Sequence, residues 1–164
     1  MAADVTRVVL APGELYFGQA PAIVHTLLGS CVAITLWHAR RRIGGMCHYL
    51  LSRRDRYQRN AHQPLGYYAC DAVAYFKEQA LSHGLKPADF EVKLFGGGSM
   101  LEVPEGTPRS INVPSNNIEH GQSLLEANGF KIKVADVGGA RYRKIYFDLS
   151  TGDVWVQYGG AAQC

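Results

Sequence analysis

The sequence has few charged residues, little net charge and no regular glycine or proline repeat. Charged side chains make up 19% of the 164 residues and hydrophobic side chains 47%, a balance that excludes an intrinsically disordered chain. The 18 glycines and 7 prolines follow no period, which excludes a collagen-like chain. A net charge of +3 is too small to indicate wholesale binding to nucleic acid. We therefore expect one globular domain over residues 1–164.

A membrane span is not predicted either. Residues 15–39 contain no Asp, Glu, Lys or Arg, and a stretch of this length could cross a bilayer. However, Gly18, Pro21 and His25 interrupt it, and its polar groups would need partners in lipid. The stretch is better explained as buried sheet and functional site. Because the apolar run at residues 8–11 is too short for a secretory signal, we expect a cytoplasmic protein.

Two helices and about eight strands are predicted. Apolar residues recur at three- and four-residue steps over residues 68–83 and again after Pro114, where Ser115 is the expected N-cap and Gly129 the stop. Short β-branched and aromatic runs bounded by turn residues predict strands at residues 6–10, 22–28, 32–37, 43–50, 90–95, 131–136, 144–148 and 153–158. The predicted fold class is α+β, with layered, largely antiparallel β-sheets and two main helices packed on one face.

The most informative stretch is a predicted hairpin that holds a cysteine and a histidine. If Trp37 pairs with Arg42 across a four-residue turn, Cys31 falls directly opposite His48. Directly opposite residues lie on one face with their Cβ atoms about 4.5–5.5 Å apart, so the thiol and the imidazole would be within reach. An imidazolium beside the sulfur would lower the pKa of the thiol and favour the thiolate. This arrangement is suited to nucleophilic catalysis.

The hairpin leaves alternatives open. In this register Cys47 points away from Cys31, which disfavours a shared metal site. A slip of one residue would instead set the two cysteines opposite each other and allow a disulfide. A single cysteine is also often a small buried hydrophobe. No C-x-x-C spacing is present, so free thiols are the default expectation.

Two glycine-containing segments accompany the hairpin. The turn before Cys31 contains Gly29 and Ser30, whose backbone N–H groups would approach a substrate oxygen, although such a turn is also ordinary loop chemistry. The run Gly96-Gly97-Gly98 follows a predicted strand but lacks the lysine and the spacing of a phosphate-binding loop. We expect this run to pack closely against other backbone.

Four short motifs together suggest a family. They are Leu-Gly-Ser-Cys at residues 28–31, Gly-Gly-x-x-His at residues 44–48, Phe-Gly-Gly-Gly-Ser at residues 95–99 and Asp-Val-Gly-Gly at residues 136–139. With them, most of the chain resembles the CheD family of chemoreceptor glutamine deamidases. The resemblance implies hydrolysis of glutamine side chains in methyl-accepting chemotaxis receptors to glutamate, with release of ammonia and without a metal or organic cofactor. It also implies the phosphatase CheC as a second partner.

The resemblance assigns roles to individual residues. Cys31 would be the nucleophile and His48 its base. The third catalytic residue of the family is a threonine just before the cysteine turn, for which Thr26 is the candidate and His25 the alternative. Gly29 and Ser30 would bind the substrate. The competing hypothesis is a non-catalytic binding module that keeps the fold and engages receptor or CheC.

Overall fold

The computed structural model describes residues 4–54, 63–100 and 112–160. These residues form nine strands and two α-helices, which are β1 Thr6–Val9, β2 Leu15–Gln19, β3 Ala22–Leu28, β4 Val32–His38, β5 Ile43–Tyr49, α1 Ala69–Ser82, β6 Glu91–Gly96, α2 Val113–Ala127, β7 Ile132–Val137, β8 Tyr142–Asp148 and β9 Val154–Gly159. Among the same residues, no helix is both long and apolar enough to span a membrane.

The strands form two sheets that pack face to face. One sheet has the order β1-β3-β8-β9 and the other the order β2-β5-β4-β6-β7. Neighbouring strands are antiparallel except for β1 with β3 and β6 with β7. Apolar side chains from both sheets, including Val24, Met46 and Phe147, fill the space between them. The predicted α+β fold with largely antiparallel sheets is confirmed.

The two helices cover the outer face of the five-stranded sheet. A second apolar cluster joins that face to α1 and α2 through residues such as Ile34, Phe76 and Leu125. Strands β4 and β5 are therefore enclosed on both faces, and every residue of β5 is buried. By contrast, β3 alternates, with Thr26 buried and Leu27 56% exposed, because only one face of its sheet is covered.

Two local features differ from the sequence-based expectation. Strand β2 is not predicted, because it is a short, half-buried edge strand without alternation. The expected N-cap of α2 at Ser115 is wrong, since the helix starts at Val113 and its N-cap is Asn112. The Asn112 side chain accepts a hydrogen bond from the Ser115 backbone N–H at 3.2 Å. A proline is tolerated in the first turn of a helix, so Pro114 does not delay the start.

Candidate active site

The hairpin of β4 and β5 has a different register from the predicted one. Ala33, and not Cys31, lies directly opposite His48. The four-residue turn exists, but it spans residues 39–42 because His38 still pairs with Ile43. Arg42 ends this turn with a left-handed φ of 50°. The predicted direct pairing of Cys31 with His48 is therefore wrong, because turn length alone does not place the turn along the chain.

The change of register keeps Cys31 and His48 on the same face of the sheet. Cys31 comes directly before Val32, the first residue of β4 that pairs with β5. If the register is extended by one residue, Cys31 is a diagonal neighbour of His48, and diagonal neighbours lie about 7–8 Å apart. Cys31 packs against the cluster between the sheets, whereas Cys47 belongs to the cluster on the helix side. The alternative of a Cys31–Cys47 disulfide is excluded, and both thiols are free.

A threonine from the opposite sheet orients the histidine ring. Thr26 Oγ1 lies 2.8 Å from His48 Nδ1 and donates its own hydrogen to the Leu10 carbonyl oxygen at 2.7 Å. Because the hydroxyl has one hydrogen and gives it to Leu10, Nδ1 must carry a hydrogen and donate it to Oγ1. The lone pair of the neutral ring is then at Nε2.

The histidine is buried and held in place. The residue is 2% exposed, and Nε2 makes no hydrogen bond with any described residue. The His48 backbone donates to the Glu14 carbonyl at 3.0 Å and accepts from the Gly13 N–H at 2.8 Å. Burial lowers the pKa of His48 to about 4, so at neutral pH the ring is uncharged and Nε2 is free to accept a proton.

Burial also sets the protonation state of the cysteine. It raises the pKa of the Cys31 thiol above its ordinary value, because a thiolate loses hydration in a partly apolar site. The expectation of a preformed thiolate beside an imidazolium is therefore wrong for the resting site. At neutral pH both groups therefore rest in their neutral forms.

The adjacent histidine occupies a different environment. His25 lies on the outer face of β3, where its ring stacks on Tyr146 with the centroids 4.6 Å apart. Thr26 lies on the inner face, fully buried. Of the two candidates for the third role, the structure brings only Thr26 into contact with His48.

The turn that carries Cys31 crosses from one sheet to the other, between β3 and β4. The Gly97 N–H donates to the Cys31 carbonyl at 2.8 Å, and the Gly98 N–H donates to the Gly29 carbonyl at 3.0 Å. A Cβ atom at Gly96 would overlap the Cys31 carbonyl oxygen. The expected close backbone packing of the glycine run is confirmed, and it is directed against the cysteine turn.

The amides of this turn are available to a ligand. Within the part of the chain that the structure describes, the N–H groups of Gly29, Ser30 and Cys31 donate no hydrogen bond to protein. Ser30 is exposed and the other two residues are partly exposed. Backbone donors next to a nucleophile are suited to stabilising an oxyanion.

Sequence reasoning missed three residues that join this site from the far strands. Arg143 is 5% exposed and forms an ion pair with Asp136 at 3.3 Å, and the Tyr158 hydroxyl donates to the same carboxylate. The signal was available in β8, since Ile145 and Phe147 point inward and the alternation places Arg143 in the same row.

Among the described residues, no group of three or more His, Cys, Asp or Glu is arranged to hold a metal.

Comparison with known proteins supplies the family. A family model described as CheD chemotactic sensory transduction matches residues 50–158. The chain belongs to the CheD family. The resemblance drawn from the short motifs is thereby confirmed, and sequence relatives of this CheD-family chain extend the match to the region of the hairpin.

Several curated relatives carry the same functional name. The chain is 45% identical over 155 residues, covering 94% of it and 85% of the relative, to the "Probable chemoreceptor glutamine deamidase CheD" of Pseudomonas syringae pv. syringae (strain B728a). It is 41% identical to a Dechloromonas aromatica protein named "Probable chemoreceptor glutamine deamidase CheD 3", covering 94% of the chain and 89% of the relative. A Geobacter sulfurreducens protein named "Probable chemoreceptor glutamine deamidase CheD 2" is 36% identical, with 90% and 87% covered.

A solved structure supports the fold alone. The crystal structure of the Bacillus licheniformis hypothetical protein YfiH is similar with a TM-score of 0.50 at 13% sequence identity. The likeness covers 76% of this chain and 51% of that chain.

Proposed function

We propose that this chain is a chemoreceptor glutamine deamidase, a single-domain amidohydrolase that converts receptor glutamine side chains to glutamate and releases ammonia. The relatives' names supply the reaction and the substrate class. The observation that carries the mechanism is the hydrogen bond from His48 to Thr26, which leaves Nε2 unprotonated and buried on the face that Cys31 shares.

The reaction begins with attack by sulfur on the carboxamide carbon of a glutamine side chain. As the S–C bond forms, the thiol proton passes to His48 Nε2, and the electron pair of the C=O bond moves onto oxygen. The amides of Gly29 and Ser30 bind this oxyanion, as expected for donors in an oxyanion hole. Because the Cys31 thiol and the His48 imidazole rest in their neutral forms, the negative charge on the oxygen forms only during attack. The amide donors stabilise that charge.

Ammonia then leaves and water completes the reaction. When the C=O bond reforms, the C–N bond breaks and the Nε2 proton goes to the departing nitrogen, which leaves as ammonia. The acyl group stays on Cys31 as a thioester. A water molecule gives one proton to Nε2 and attacks the thioester carbon. The C–S bond breaks, the sulfur takes up the proton from Nε2, and the new carboxyl group loses its proton to ammonia or solvent, which gives glutamate. The net reaction consumes one water per glutamine.

Thr26 has the orienting role in this scheme. During attack His48 becomes an imidazolium, and its Nδ1–H remains bonded to Thr26 Oγ1, whose own hydrogen stays on the Leu10 carbonyl. This chain of hydrogen bonds holds the ring with Nε2 toward the inner face. The third member of a catalytic triad acts in a comparable way by fixing the tautomer and the ring orientation.

Mass analysis of a purified receptor cytoplasmic fragment tests this proposal. Wild type is expected to convert individual glutamines to glutamate with an intact receptor chain, together with one ammonia per site. Cys31→Ala is expected to abolish both signals, and Cys70→Ala, which alters a half-buried thiol on α1, serves as the matched control.

Other outcomes separate the competing functions. A wild type that binds the fragment but leaves every glutamine unchanged would establish a binding module instead. Cleaved or cross-linked receptor would indicate protein cleavage or transglutamination. Deamidation by Cys31→Ala at the wild-type rate would remove Cys31 from the mechanism.

We also propose the phosphatase CheC as a second protein partner, on the family resemblance. Titration of labelled CheC with purified wild type tests it, with saturable binding expected. Absence of binding at high micromolar concentration would refute this partner and leave the deamidase proposal untouched.

A further inference from the structure

A buried cation lies between the two sheets, close to the cysteine turn. Arg143 is 5% exposed on the inner face of β8, in the same row as Ile145 and Phe147. A charged side chain in such a place is strongly unfavourable unless it is paired and hydrogen-bonded. The partners of this guanidinium therefore indicate why this position holds an arginine, although its neighbours in the row are apolar.

Those partners are the carbonyls of two glycine turns. Arg143 Nη2 donates to the Gly138 carbonyl at 2.8 Å, and Nη1 donates to the Gly96 carbonyl at 3.4 Å. The turns are also joined directly, because the Gly138 N–H donates to the Gly96 carbonyl at 2.8 Å and the Ser99 N–H to the Gly139 carbonyl at 2.7 Å. One side chain from the four-stranded sheet thus fixes backbone at the ends of β6 and β7 in the other sheet.

The glycine turns in turn hold the cysteine turn at both ends. Gly97 bonds to the Cys31 carbonyl and Gly98 to the Gly29 carbonyl. Gly96 and Gly97 have φ values of 106° and 66°, in the region that glycine adopts readily and other residues do not. Such backbone has large conformational freedom unless hydrogen bonds restrain it. The Arg143 side chain supplies this restraint through its bonds to the Gly96 and Gly138 carbonyls. The Arg143 backbone pairs with Leu28, the residue before the cysteine turn.

The guanidinium is itself held by two polar groups. Its Nε and Nη2 both donate to Asp136 Oδ1 at 3.3 Å. The Tyr158 hydroxyl donates to the other oxygen of this carboxylate, and the Tyr158 ring lies 5.8 Å from the Arg143 guanidinium carbon. The charge of the arginine is therefore neutralised and its orientation set before any substrate binds.

We propose that Arg143 is a positioning residue for Cys31. By fixing the glycine turns, it holds the sulfur and the Gly29 and Ser30 amides in the geometry required for attack, without touching the substrate. The kinetic part of this inference rests on the proposed deamidase function. A displacement of about 1 Å in a catalytic group can lower a rate about 100-fold, so loosening the glycine turns should reduce kcat more than it changes KM.

The test compares Arg143→Met, which keeps an unbranched apolar stem but has no N–H donors, with Arg143→Lys, which keeps the positive charge and one donor group. Arg143→Met is expected to lower kcat at least about tenfold with KM within about twofold, and Arg143→Lys to recover part of the loss. Lys133→Met is the matched control, because it removes the ion pair of Lys133 with Glu91 (2.9 Å) at the opposite end of the sheet. It is expected to leave kcat unchanged.

A second readout requires no substrate. Peptide mass analysis gives the rate at which iodoacetamide alkylates Cys31, and its plateau at high pH reports access to the sulfur. Arg143→Met is expected to raise this plateau rate, because a released turn exposes the half-buried thiol, and Lys133→Met is expected to leave it unchanged. If wild type proves inactive on receptor, the deamidase proposal fails, while the alkylation rates still decide the positioning of Cys31.

Certain results would overturn the inference. If Arg143→Met changes the unfolding midpoint but leaves both kcat and the alkylation plateau at wild-type values, Arg143 is only a structural ion pair. If that variant does not fold, Arg143→Lys replaces it, since it keeps most of the packing but lacks the planar fork of donors. Wild-type kcat and alkylation in Arg143→Lys would likewise refute the positioning role of the guanidinium.

Discussion

Replacing Thr26 with valine removes one hydroxyl from the buried interface between the sheets and keeps nearly the same shape. The change deletes the acceptor of the His48 Nδ1–H and the donor to the Leu10 carbonyl. Neither partner is exposed to solvent, because Leu10 is 5% exposed and His48 is 2% exposed. The imidazole then loses the contact that keeps its hydrogen on Nδ1, and the tautomer with Nε2–H, which cannot act as the base, becomes accessible.

The size of the effect follows from those two lost bonds. A buried polar group left without a partner costs about 1–3 kcal/mol, so the free energy of unfolding should fall by about that amount or somewhat more. The catalytic effect is separate, because misorientation of a general base typically removes much of its contribution of about 10²–10⁴-fold. We therefore expect kcat to fall about 10- to 100-fold, with a smaller change in KM.

The assay combines urea unfolding with ammonia release from a receptor fragment. Thr35→Val is the matched control, since Thr35 is also buried, on β4, and has no hydrogen bond to the histidine. It is expected to keep wild-type kcat. The reasoning would be refuted if Thr26→Val loses stability but turns over receptor glutamine at the wild-type rate, because the hydroxyl would then have no part in orienting His48.

Three further predictions concern protonation, backbone space and thiol pairing. Because the pKa of His48 is lowered to about 4 from 6.5, the unfolded state binds more protons between these values, so stability should rise with pH over this window. The slope should be smaller in His48→Asn, and equal slopes in urea unfolding would contradict the lowered pKa. Gly96→Ala should destabilise the protein more than Gly84→Ala, because both have positive φ but only at Gly96 would a Cβ overlap backbone; equal unfolding midpoints would contradict this packing. Mild oxidation should form no Cys31–Cys47 disulfide, since the two thiols lie on opposite faces of the sheet, and detection of that linked peptide by mass analysis would show the faces to be assigned wrongly.

The periodicity of apolar residues along the sequence predicts most of the helices and strands but not the position of the turn between β4 and β5. The periodicity of α1 and the alternation of β9 are visible in the sequence because each depends on one covered face. The sequence predicts the turn before Ile43 one residue earlier than the structure has it, because the polar residues do not specify whether Trp37 or His38 is the last paired residue of the strand. Since the resulting shift moves the pairing by two residues, the side chains stay on the predicted face.

The hydrophobic pattern of the sequence does not specify which side chains of the two sheets contact each other. Thr26 meets His48 across the gap between two sheets, and neither the spacing in β3 nor that in β5 specifies the partner. The alternation in β3 does favour Thr26 over His25 for the inward position. In the same way, β8 places Arg143 inward, but its carbonyl partners at Gly96 and Gly138 depend on how the two sheets stack.

Interception of the covalent intermediate tests the central claim most directly. A thioester between Cys31 and a receptor glutamine would react with added hydroxylamine as well as with water. The mechanism predicts receptor glutamines converted to hydroxamates by wild type and by Cys70→Ala, and none by Cys31→Ala. Conversion to glutamate with no hydroxamate at any hydroxylamine concentration, or equal hydroxamate from Cys31→Ala, would contradict attack by this sulfur.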